Sequence, residues 1–345
     1  MATLVPSQPV APPPRKTRWF SRLLILLLVF VLGGSLLLNL SFLAGAATSS
    51  DRRVREEFHS LNKYGQHKVA IISVEGTILD GEGFVKRQID RAMKDEDVGA
   101  LVLRVNSPGG TVTGADYLYH HLKKLREERD IPLVVSMGGI AASGGYYVSM
   151  AVGTEHPDTI FAEPTTWTGS IGVIIPHYNA TELLSEIGVE EDSVVSHPLK
   201  GMGSFSKPMT DEEREIFQEL VDDSFQRFKG IIRSGRVRFE EDPKSLEELA
   251  TGQIYTADQA VENGLVDKIG FVEEAIDRAI ALAGLPRQEV RVVKYKREPT
   301  LADLLIGVRA QAARHFDLNT LLDMTVPRAY YFCTRLPPLV QSRGQ

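Results

Sequence analysis

Residues 23–47 contain no charged side chain, and nothing else in the sequence restricts the chain as strongly. A helix over residues 23–45 extends about 34 Å, against a bilayer hydrocarbon core of about 30 Å. Ahead of it lie Arg15, Lys16, Arg18 and Arg22, with no acid and with a proline-rich start that cannot hold a helix. Positive residues before a span keep the tail in the cytoplasm and export the chain beyond the span. A cleaved signal peptide is the competing reading, favoured by Ala44, Gly45 and Ala46, although the apolar run exceeds the usual h-region of about 7 to 15 residues. The expectation is a single-pass cell-membrane protein. Residues 1–22 form a cytoplasmic basic tail, 23–47 a signal anchor in contact with lipid and 48–67 a juxtamembrane linker or short surface helix, with the remainder extracytoplasmic.

Of 345 residues, 43% are hydrophobic and 24% charged, an ordinary globular balance with a net charge of −6. A mildly acidic chain lacks the electrostatic footprint that phosphate contacts demand, so no nucleic-acid partner is expected. The single cysteine, Cys333, excludes an internal disulfide framework and any multi-cysteine metal site. No metal or cofactor is expected.

From Lys68 the texture becomes strand, helix, strand, helix, strand: KVAIISVEG, FVKRQIDRAMKD, GALVLRVNS, a helix from Thr113 to about Glu128, and PLVVSM. Near-continuous apolar strands alternating with helices predict an α/β fold with a largely parallel sheet and flanking helices. TIFAEP and GSIGVII read as further strands, and residues 179–187 as a helix. Thr210 with Glu213 and Thr256 with Gln259 form capping boxes that open two more helices; another covers residues 272–283. The domain expected from this pattern spans 68–290, with a C-terminal extension over 291–345. In that extension LADLLIGVRAQAARHF and AYYFCTRLPPLV read as a terminal helix and strand packing on the body or on a neighbouring subunit.

Three glycine-rich loops follow strands, at residues 106–110, 138–145 and 168–172, where ligands of open α/β sheets bind. Neither a P-loop nor a dinucleotide fingerprint is present. In the second loop Ser143 stands between Ala141, Ala142, Gly144 and Gly145, ahead of the apolar YYVSMAV. A serine so placed is either an N-cap with glycines for tight packing, or a hydroxyl that a substrate backbone can approach beside unsatisfied N–H groups. None of the eight histidines lies in a triad motif. Lys200 is the other candidate base, in a stretch from Ser193 to Thr210 that contains no acid. A lysine must be neutral to accept a proton, which takes roughly 4.6 kcal/mol of differential environment from an ordinary value of about 10.4. Read locally, a loop lysine beside a glycine is a solvated side chain rather than a base.

NSPGGTV, GGIAASGGYYVSMA, TGSIGV and the set Lys200, Met209, Thr210, Glu212 and Glu213, in this order and spacing, resemble the signal peptide peptidase A family over residues 68–285. These are membrane-anchored serine peptidases with the Clp protease/crotonase-like fold. The resemblance implies Ser143 as nucleophile and Lys200 as general base. It implies an oxyanion hole from the N–H groups of Gly110 and Gly144, with Gly109 an alternative to its neighbour, and Ser170 as the residue orienting the lysine. It further implies extended peptide substrates such as signal-peptide remnants, lying along Gly109, Thr111 and Val112 by main-chain pairing, with small or apolar side chains favoured. It implies a homo-oligomeric ring too, with Ser143 of one protomer facing Lys200 of the next. Phe205 and Lys207 stand where family members often carry proline and arginine. The rival expectations are a crotonase-like enzyme acting on acyl-CoA esters and a non-catalytic membrane scaffold that binds peptides.

Overall fold

The β-branched runs assemble into one nine-stranded sheet whose central strands are covered on both faces. A computed structural model describes residues 19–48, 54–298 and 330–332. The basic tail before Trp19 and nearly all of the C-terminal extension beyond Glu298 lie outside these residues.

The first element, α1 (Trp19–Thr48), includes an 18-residue stretch, Arg22–Asn39, of mean hydropathy 2.2. Its apolar side chains from Leu23 to Leu38 are exposed. By length and composition this helix can cross a bilayer.

In the body, β1 (Val54–Leu61) and β2 (His67–Glu75) lead to α2 (Phe84–Lys94), β3 (Val98–Ser107), the short β4 (Gly109–Thr111), α3 (Val112–Arg129) and β5 (Leu133–Ala142). After α4 (Gly144–Ser149) come β6 (Ile160–Ala162), β7 (Trp167–Gly169), α5 (Thr181–Glu186), α6 (Asp211–Gly235), α7 (Val237–Glu241) and α8 (Pro243–Leu249). The remainder is β8 (Ile254–Thr256), α9 (Ala257–Glu262), β9 (Lys268–Ile269), α10 (Val272–Leu282), β10 (Val290–Arg297) and β11 (Tyr330–Phe332). The sheet order is β1-β10-β2-β3-β5-β6-β9, with β7 continuing beside the end of β5 and β8 beside β7. The pairs β1/β10 and β7/β8 are antiparallel; the others in this sheet are parallel.

Alternate residues of the central strands enter two separate cores. Ala70, Ile72, Leu101, Leu103 and Val135 face α2, α3 and α4. Val69, Ile71, Ala100, Val102 and Val134 face Ala275, Ile276, Ala279 and Ile280 of α10. Burial on both faces is why these strands read as uninterrupted apolar runs rather than as an alternation.

Three expectations are corrected. Residues 54–61 are a strand, not a linker or surface helix: their charges are held by the body, with Glu56 accepting from Lys68 and Arg91, and Glu57 pairing with Lys294 and Lys296. β5 runs on through the glycines to Ala142, so residues 138–142 are strand, not loop. GSIGVII is not a strand; β7 ends at Gly169, and Thr168 is drawn into the sheet by donating to the Ala141 carbonyl at 2.6 Å. Both capping boxes are present as read.

Candidate active site

β5 delivers its last residue, Ala142, to a turn made by Ser143 alone, after which α4 begins. Ser143 has φ 55° and ψ −117°, a region that an L-residue occupies only when its surroundings dictate it. They do: its N–H donates to the Gly169 carbonyl at 2.7 Å, and its carbonyl accepts from Tyr147 N–H at 2.9 Å. The hydroxyl is fully buried and has no hydrogen-bond partner among the described residues. An N-cap serine adopts extended backbone and spends its oxygen on the first turn; Ser143 does neither, so capping does not account for it.

β4 approaches this turn from the side. Ile78 N–H donates to the Gly109 carbonyl at 2.9 Å and Thr111 N–H to the Ile78 carbonyl at 2.8 Å. A strand residue flanked by two such bonds points its own N–H and carbonyl to the opposite edge, so those of Gly110 face away from Ile78. The Gly109 N–H is taken by the Ser107 hydroxyl at 3.1 Å, whereas the Gly110 N–H faces the outer edge of β4, on which β11 pairs with Tyr331 opposite Gly110. Two glycines permit the close approach. A Cβ on Gly144 would lie 3.1 Å from Gly109 Cα and 3.2 Å from Gly110 N; one on Gly109, whose φ is +101°, would lie 2.7 Å from Gly144 N. Two main-chain donors, from Gly110 and Gly144, therefore stand side by side next to a buried hydroxyl. Such a pair is suited to negative charge developing on a carbonyl oxygen.

Ser170 follows Gly169 in the turn that binds Ser143 and is itself held with φ 50° by an N–H bond to the Gln253 carbonyl at 2.7 Å. Thr111 uses its side chain as the cap of α3, accepting from Gly114 N–H at 3.0 Å and donating to the Leu79 carbonyl at 2.9 Å.

Lys200 is not brought to Ser143 within one chain. It lies in a 3₁₀ turn, Pro198–Gly201, with its side chain exposed. Elsewhere in this region the carboxylates are engaged: Glu213 accepts from Lys207 at 2.8 Å, and Glu191 accepts from Ser204 and Ser206. Among the described residues no carboxylate forms an ion pair with Lys200.

Residues that the sequence did not single out complete the surroundings. Tyr147 is fully buried and donates to Asp116 at 2.6 Å; Arg227 grips the same carboxylate at 2.8 and 2.9 Å. Burial and that carboxylate push the Tyr147 phenol well above its ordinary range. The GGYY run after Ser143 was the available signal for this tyrosine. Among the described residues no cluster of His, Cys, Asp and Glu is suited to a metal ion.

Residues 125–286 match peptidase family S49. A Synechocystis protein bearing a protease name is 38% identical over 244 residues, covering 71% of this chain and 84% of the relative. An Enterococcus faecium protein bearing the name signal peptide peptidase SppA is 36% identical over 245 residues, 68% of each chain. Protease 4 of Salmonella typhi is 35% identical over 254 residues, 71% of this chain but 39% of that longer protein.

Proposed function

The chain belongs to peptidase family S49, and on that premise we propose that it is a membrane-anchored serine endopeptidase working through Ser143 and Lys200. The observation that carries this reading is the strained, buried and unpartnered Ser143 hydroxyl set beside the N–H groups of Gly110 and Gly144. Neutral Lys200 removes the hydroxyl proton as Oγ bonds to the scissile carbonyl carbon, and the two N–H groups receive the resulting oxyanion. The ammonium of Lys200 returns the proton to the leaving amine as the C–N bond breaks. Water, deprotonated by the same lysine, then hydrolyses the acyl-enzyme.

Because Lys200 is exposed and the buried Ser143 hydroxyl has no partner in its own chain, a neighbouring protomer of a homo-oligomeric ring supplies the lysine, and Ser170 orients it. Burial at that junction, with no carboxylate partner, favours the neutral amine. The apolar α1 supports anchoring with the amino end in the cytoplasm and the peptidase domain outside. Substrates are extended peptides that pair with the β4 edge, such as signal-peptide remnants left in the bilayer.

The test is labelling of the full chain in detergent with a serine-reactive fluorophosphonate. Modification is expected at Ser143, lost in Ser143→Ala and reduced at least a hundredfold in rate in Lys200→Ala. Labelling indifferent to Lys200 would remove that residue from the mechanism.

A further inference from the structure

The turn that carries Lys200 is fastened to the body at several points. Lys200 N–H donates to the His197 carbonyl at 2.9 Å and Met202 N–H to the Leu199 carbonyl at 3.1 Å, which closes the turn itself. Just beyond it, the Phe205 carbonyl accepts from Ala180 N–H at 2.8 Å, and the His177 ring lies 3.2 Å from the Ser204 carbonyl. Lys207 supplies a further tie. A Cβ on Gly201 would stand 3.3 Å from Lys207 Nζ, so this ammonium rests against the residue next to Lys200. The same ammonium donates to Glu213 at 2.8 Å. Glu213, in the first turn of α6, is only 2% exposed, and its second carboxylate oxygen accepts from Thr210 N–H at 3.2 Å. A carboxylate so deeply buried must be paired. Among the described residues Lys207 is the cation that pairs with it, so Gly201 and Glu213 hold one ammonium between them.

We infer that Lys207 is a positioning residue for the general base: held by buried Glu213, it fixes the turn that presents Lys200 and neutralises the carboxylate beside that turn. This rests on the Ser143/Lys200 reading above and names the groups that keep its lysine ready. An amine must shed its own proton before it can take one from Ser143, and an unsatisfied carboxylate nearby would hold that proton in place. Lys207 removes the obstacle. Its hydrogen bond holds the Glu213 carboxyl below the ordinary carboxylate range, so the pair stays ionised and closed; the charge of His177 acts on Glu213 in the same sense, more weakly. As a whole the pair is neutral, so it anchors the turn without placing a net charge beside Lys200. Breaking it from either side unbalances that arrangement. Lys207→Met leaves a negative charge by the turn and Glu213→Gln a positive one, and at a weakly screened junction each moves the pH at which Lys200 works, in opposite directions. Loss of a merely structural contact has no such sign.

The experiment measures the rate of fluorophosphonate labelling at Ser143 from about pH 5 to about pH 10, a range that brackets lysine titration. It uses the full chain in detergent as wild type, Lys207→Met, Lys207→Arg, Glu213→Gln and the double variant Lys207→Met with Glu213→Gln, with a thermal melt on each. In Lys207→Met the pH of half-maximal rate rises by about one unit, which is a roughly tenfold slower reaction at pH 7. In Glu213→Gln it falls. The double variant returns to the wild-type midpoint with a lower maximal rate, because the turn has lost its tie. Lys207→Arg keeps charge and reach and labels within about threefold of wild type. Should Lys207→Met fail to fold, Glu213→Gln decides. Midpoints that shift the same way in both single variants, or stay in place in every variant that folds, overturn the inference, as does a Lys207→Arg protein as slow as Lys207→Met. In those cases wild-type labelling that is lost in Lys200→Ala leaves the peptidase reading standing. Labelling of Ser143 that ignores Lys200 sinks both.

Discussion

Ser143 and Gly169 are joined by a main-chain hydrogen bond of 2.7 Å, and that bond decides where the nucleophile points. It closes the Ala142–Gly169 rung of the pairing of β5 with β7, and there the serine turns out of the strand with positive φ. The same contact places Ser170 next in line.

Gly109→Ala is expected to lower kcat about 10²- to 10³-fold, the usual loss when oxyanion stabilisation is disrupted. The added methyl would stand 2.7 Å from Gly144 N, on a backbone with φ +101°. Single-turnover peptide hydrolysis by the folded variant measures this; a fall of less than threefold would contradict the assigned donors.

Mixing the two dead variants, Ser143→Ala and Lys200→Ala, is expected to restore activity. With random assembly of equal amounts, about a quarter of the junctions pair an intact serine with an intact lysine. Turnover after dissociation and reassembly is the readout. No recovery would place both residues in one protomer.

The Glu213 carboxyl gives a pH signature. Lys207 donates to it and the Thr210 N–H lies 3.2 Å away, which hold it below the ordinary carboxylate value. A group lowered in the folded state stabilises fully above its unfolded value and loses that contribution as pH falls through the folded one. Glu213→Gln keeps the acceptor for the Thr210 N–H and loses only the charged contact with Lys207, so it is expected to cost about 0.5 to 1 kcal/mol at pH 7. In thermal melts the difference from wild type should shrink toward pH 3. A difference independent of pH would deny the carboxylate that role.

Lys68 is buried between Asp95, at 2.5 Å, and Glu56, at 3.1 Å. Asp95→Asn is expected to destabilise the fold by about 3 kcal/mol, because a buried ammonium loses its shorter partner. Lys68→Met, which removes the charge, should cost less. Urea denaturation of both variants checks the order.

The central strands and α2, α3 and α10 were legible because strands buried on both faces and amphipathic helices carry strong periodic signals. β1 was not. Its glutamates look solvated in sequence, yet they answer lysines and an arginine contributed by β2, α2 and β10. GSIGVII has the composition of a strand, but the sheet ends before it because the Ser170 backbone turns into positive φ to meet Gln253. In the site, Ser143 stood out in a glycine-rich loop, while Gly110, Gly144 and Ser170 entered through the family resemblance; the fold brings the four near one another. Lys200 was readable as a residue without a carboxylate, whereas its distance from Ser143 belongs to the folded chain. AYYFCTRLPPLV was legible as a strand packing on the body, but its partner was not: Tyr331 pairs with Gly110 across most of the body's sequence, and no local pattern names that partner.

The outward position of Lys200 bears on the safety of the cell that makes this protein. Under the shared-site reading a freshly translated copy holds its reactive alcohol without a proton acceptor, so it travels to the membrane inert. Destructive power then scales with local density of the assembled particle, and dilution alone suffices to disarm it.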